Sequence, residues 1–136
     1  MGELEKIPLV GTSIVVKSDY LAKQQSIARN TLRALIESHA FVHNPANKAV
    51  VIEITSKKLG ITDPLAANDG YEDYVRRTDR KASISLEGVK NIQRFMKLRN
   101  PKIADVNLER LIDESLLHEL DKSGFTEQSF GGKTIR

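Results

Sequence analysis

Cysteine and tryptophan are both absent from the 136 residues. Without cysteine there is no disulfide, no thiolate metal ligand and no cysteine nucleophile. Aromatic residues make up only 5% of the chain, too few to suggest a groove that stacks nucleobases or a platform for sugars. No apolar run approaches the length that crosses a bilayer. The start, Met1-Gly2-Glu3-Leu4-Glu5-Lys6, is charged and lacks the apolar stretch of an export signal. A strong excess of one charge is missing too. Lys plus Arg total 21 against 18 for Asp plus Glu, and a net charge of +3 reads as a mixed solvated surface.

What remains is a chain that is 40% hydrophobic and 29% charged, a globular balance in a length suited to one ordinary domain. Ile14-Val15-Val16, preceded by Gly11 and followed by Lys17-Ser18-Asp19, predicts a short strand. Ser18 predicts a cap for a turn of helix over 20–23. A longer helix is predicted over 25–43, with Leu32, Leu35, Ile36, His39 and Val42 on one face and Asn44-Pro45 as its stop. Residues 46–59 are rich in β-branched side chains and could form a strand. Ala49 with Ile52, Val50 with Ile54, and the Leu59-Gly60 stop fit a helix, which is the assignment made. Asp63-Pro64 predicts the start of another, running to Arg77 with Gly70 inside it. A polar connector follows over 76–83. Ser85 then caps a helix to Arg99, on which Leu86, Val89, Ile92, Gln93 and Met96 share a face widened by Phe95. Asn107 and Asp113 predict two further helix starts. Leu116, Leu117 and Leu120 form the apolar face of the last helix, and Gly124 is its stop. The architecture expected is mainly α, with one or two short strands near the N-terminus.

Motif by motif, the residues point to no catalysis. His39 and His43 stand four apart on one helix, the spacing of two zinc ligands. No third ligand is placed by sequence, so they read as a half-buried and an exposed helix-end histidine, and His118 as a surface residue. Gly131-Gly132-Lys133-Thr134 imitates the end of a phosphate loop, but position 127 is Glu127 and only Ile135 and Arg136 follow, too few for the required helix. The stretch Ile54 to Leu65 resembles a helix-turn-helix. Its would-be recognition helix carries Asp63, Asp69, Glu72 and Asp73 before Arg76, which repels a polyanion. Arg76, Arg77, Arg80 and Lys81 form a basic cluster that reads as a solvated connector paired with Asp73 and Asp79. No Ser-His-Asp set or carboxylate pair is arguable from spacing.

Five stretches together carry a resemblance. Tyr71-Glu72-Asp73-Tyr74-Val75-Arg76-Arg77, Ser85-Leu86-Glu87-Gly88 and Leu98-Arg99-Asn100-Pro101 resemble the C-terminal helical part of the substrate-binding proteins of nitrate/sulfonate/taurine-type ABC importers. That family has relatives that bind thiamine-pyrimidine precursors. Gly11-Thr12-Ser13-Ile14-Val15-Val16 resembles the strand that returns from the second lobe to the first, and Glu119 to Phe125 the closing helix. The resemblance implies that residues 1–125 are a C-terminal fragment of a two-lobed periplasmic-binding-protein (type 2) fold, with 126–136 a polar tail. It implies a periplasmic location for the full-length family, although this chain shows no export signal. It also implies a small-molecule ligand and a membrane permease as the family's partners, and neither a cofactor, a metal nor nucleic acid. Gly11, Thr12 and Ser13 become the candidate ligand-binding residues, if they form the last crossing between lobes. The alternative is that Thr12 and Ser13 merely begin a strand. Two other functional classes stay open: a helix-turn-helix DNA binder, and a fragment of an enzyme that makes the thiamine pyrimidine. The fragment reading carries a physical expectation. The faces of Leu32, Leu35, Ile36, Val89, Ile92 and Met96 must pack on one another or stay partly exposed, inviting self-association.

Overall fold

A computed structural model describes residues 7–131, and its regular elements are all helical. The seven α-helices are α1 (Ser18–Lys23), α2 (Gln25–His43), α3 (Lys48–Leu59), α4 (Pro64–Arg77), α5 (Leu86–Met96), α6 (Ser115–Lys122) and α7 (Phe125–Phe130). Single 3-10 turns occupy Pro45–Asn47, Pro101–Asp105 and Leu108–Arg110.

The helix boundaries follow from side chains that accept the orphan N–H groups of a first turn. Asp63 Oδ1 accepts from the Leu65 amide at 2.9 Å, with Pro64 at the position that has no N–H to lose. Ser85 Oγ accepts from Gly88 at 3.0 Å. Asp113 Oδ1 accepts from Ser115 at 2.9 Å, and Asn44, Asn100 and Asn107 do the same for the three 3-10 turns. The α3 terminus is a left-handed Gly60 at φ +68°, beyond which the Ile61 amide reaches back to the Ser56 carbonyl.

Four expectations from the sequence need correction. The strand over Ile14–Val16 does not form, and among the described residues there is no strand. A β-branched run makes a ladder only against a neighbour, and the described residues supply none. Ser18 does not cap α1; the cap position is Lys17, which makes no side-chain bond, and Asp19 accepts from the Tyr20 amide instead. The helix expected to reach Arg99 ends at Met96, three residues earlier, and passes into a turn. Residues 126–130, expected within a polar tail, form α7, with Thr126 buried; the rest of that stretch beyond Gly131 lies outside the described residues.

The chain separates into two compact units. One combines the N-terminal segment up to Gln25 with Ser83–Leu116; the other combines Ser26–Ala82 with the chain from Leu117 onward. In the first, α5 packs on the 3-10 turns that follow it, and Gln93 Nε2 donates to the carbonyls of both Ile103 and Val106 at 2.8 and 2.9 Å. In the second, α3 packs on α4. Ile36 and Ala40 of α2, Val51 of α3, Ala67 of α4 and Leu120 of α6 are its buried apolar residues.

Candidate functional site

The candidate ligand segment Gly11-Thr12-Ser13 is held by what precedes it. On α5, Gly88 and Asn91 are one turn apart and both buried. At Gly88 the chain running toward Gly11 lies so close that a Cβ would come within 3.2 Å of Leu9 C, Val10 N and Val10 Cγ2. Asn91 fixes the same strip one turn on: its Nδ2 donates to the Pro8 carbonyl at 3.0 Å, and its Oδ1 accepts from Arg94 Nη1 at 2.8 Å. Both ends of the Asn91 amide are thereby used, as burial requires. Glu87 lies 3.6 Å from Arg94 and steadies that guanidinium.

Beyond this clamp, Gly11, Thr12 and Ser13 are exposed, with no regular backbone structure. Nothing lies within 4 Å of a Cβ built on Gly11. The three residues are contiguous and accessible, so their backbone and two hydroxyls can offer hydrogen bonds to a small polar molecule. A shallow open hollow in this unit is lined by Leu86, Lys90, Gln93, Val106, Asn107, Leu108 and Glu109, none of them part of the segment. The Gly88–Asn91 clamp was not anticipated. Its signal was available: a glycine within an otherwise good helix, followed one turn later by an amide on the same face, marks a close backbone approach that needs a polar tie.

A second cluster lies in the other unit. His39 and His43 of α2 stack with ring centroids 4.5 Å apart and 9° between planes. Tyr74 of α4 and Phe130 of α7 stand against both rings. His43 Nε2 and Thr78 Oγ1 share a hydrogen bond of 2.9 Å, whereas His39 Nε2 is buried without a partner. Burial, then the neighbouring His43, hold the His39 imidazole below its ordinary value of 6.5, with Asp79 opposing. Burial and the Arg80 guanidinium lower His43. His43, read from sequence as exposed, is thus half-buried. Among the described residues no three His, Asp or Glu are grouped to hold a metal ion.

α3 and α4 pack on each other across the left-handed turn at Gly60, and three of their cations are paired. Lys48 Nζ pairs with Glu72. Arg76 and Arg77 both bond Asp73 Oδ1, at 2.5 and 2.8 Å, and these two bonds hold the Asp73 carboxyl below its usual range. Among the described residues, no helix is long and apolar enough to cross a membrane. No family model matches the chain, and neither a curated protein nor a solved structure matches it.

Proposed function

We propose that this chain is the helical C-terminal portion of a solute-binding protein for an ABC importer of small organic or sulfonate/nitrate-like substrates, a binding rather than a catalytic part. One observation carries the reading: the helices form, but they leave much of their apolar surface uncovered. In the first unit Ile14, Val15 and Val16 are 51%, 86% and 45% exposed, and Phe95, Met96 and Leu98 are exposed on and just after α5. In the second unit Leu35, Phe41, Val50, Ile54 and Leu65 are exposed. Among the described residues no large side chain is fully buried. Surfaces of this kind suit helices that cover a sheet contributed by another part of a protein. An extended β-branched run with no neighbour suits a strand whose partners lie elsewhere.

The periplasmic location and the permease belong to the same reading, through the whole protein of which this would be a part. In it, Gly11, Thr12 and Ser13 lie at the mouth between two lobes that close on the ligand by a hinge. Most ligand contacts come from the complementary part, so the chain alone holds no transport substrate. Joining it to the first lobe and the remaining sheet of a nitrate- or sulfonate-type binding protein tests this. The expected chimera is a monomer that melts cooperatively and whose melting temperature rises with that protein's ligand. A chimera that still binds a hydrophobic dye and is insensitive to ligand would overturn the proposal.

A further inference from the structure

We propose that the stacked His39 and His43 imidazoles act as an acid-released latch for the helix α7. α7 is only six residues long, too short to persist unless docked. Its described anchors are Phe125, whose ring lies under the Arg33 guanidinium at 4.5 Å, the buried Thr126, and Phe130. Phe130 stands 5.8 Å from the His39 ring and 5.9 Å from the His43 ring. Tyr74 of α4 adds a fourth ring at 5.7 and 6.3 Å.

The arrangement suits two neutral imidazoles. A proton on either ring places a cation against its stacked neighbour 4.5 Å away. A proton on His39 Nε2 is also a donor with no acceptor, since that nitrogen is buried and unpartnered. Among the described residues, the charged groups that face the pair come from the connector after α4. Asp79 favours a cation on His39, whereas Arg80 disfavours one on His43 and itself lies over the Phe130 ring at 5.5 Å. Tyr74 contributes a ring and Thr78 a hydroxyl. Burial is the largest cause of the lowered basicity of both rings. Undocking Phe130 removes part of that burial, so proton uptake favours the released state.

The sign follows from linkage. With the docked pKa values depressed, the released state binds more protons, so docking strengthens as pH rises. It weakens as pH falls through the ordinary value of 6.5, and the loss is complete below the lowered values of the docked pair.

Amide hydrogen exchange of the whole chain, corrected for the intrinsic chemical rate, reads this directly. Between about pH 7.5 and about pH 5, the range in which imidazoles titrate, the Gln128 and Gly131 amides bonded within α7 should lose protection several-fold. The α4 amides should not. The double variant His39→Phe/His43→Phe keeps ring packing without a proton site, and its α7 protection should be flat with pH. Equal pH dependence in α7 and α4, or a loss that persists in the double variant, would overturn the latch. Should that variant not fold, imidazole titration by NMR in the wild type decides. Both rings must titrate below a blocked histidine peptide, and either one at or above it excludes the mechanism.

Discussion

At the scale of single residues, Gly88 is the position where chemistry and packing conflict. A glycine within α5 weakens the helix by about 1 kcal/mol relative to alanine. Yet a methyl group there would meet two backbone atoms and one side-chain atom of the crossing segment at 3.2 Å. Overpacking of this kind costs about 1–3 kcal/mol. The crossing strip of Pro8 and Leu9 is itself exposed and can yield. Gly88→Ala should therefore leave helix content unchanged and lower the melting temperature modestly. It should also break the Asn91–Pro8 bond, seen as a shift and faster exchange of the Asn91 side-chain amide protons. A variant whose Asn91 side-chain amide signals are unchanged would show that α5 and the segment are not in contact. This contact was legible only in part. The sequence reading placed Leu86, Val89, Ile92, Gln93 and Met96 on one face of α5; the first four are half-buried and Met96 is exposed, while the most buried pair is Gly88 and Asn91. Hydrophobic periodicity ranks side chains by apolarity, and a close approach between backbones selects for the smallest residue instead.

At the scale of elements, the boundaries were the most legible feature, because they depend on nearest neighbours. Asp63-Pro64, Ser85, Asn107 and Asp113 each accept the backbone bonds their positions imply. The choice of helix over strand within residues 46–59 also holds, as α3 from Lys48 after a 3-10 turn, with Val51 buried and Gly60 supplying the left-handed stop. The Ile14–Val16 strand failed for the converse reason: a strand depends on a partner that local sequence does not describe. For α3 and α4 the element-scale question is nucleic acid. The would-be recognition helix opens with Asp63 and carries Asp69, Glu72 and Asp73, and its two arginines are engaged by Asp73. A gel-shift titration at low salt should show no sequence-selective DNA binding. Selective binding that weakens steeply with salt, and is lost in Lys57→Ala, would reverse that conclusion.

At the scale of the whole molecule, the balance between formed helices and uncovered apolar surface sets the expected behaviour in solution. Helices as short as α6 and α7 are held by packing rather than by intrinsic propensity. The packing here is thin, since the buried apolar set is Ile36, Ala40, Val51, Ala67 and Leu120. Val15 at 86% and Leu98 at 79% exposure are far from any core. Each large apolar side chain that finds cover contributes about 1.5–3 kcal/mol, so covering even a few of them rivals the ~5–15 kcal/mol net stability of a typical domain. The isolated chain should therefore lower its free energy by associating with itself, or remain only marginally stable. Sedimentation velocity over a range of concentrations should show a rising mean mass, or thermal unfolding should be broad with a hydrophobic dye bound before the transition. Added salt should strengthen the association or leave it unchanged, because apolar contacts are not screened whereas ion pairs are. A compact monomer at high concentration, melting in one sharp step without binding dye, would mean that these helices close their own core. The uncovered faces would then need no missing sheet, and the observation that carries the proposed function would be gone.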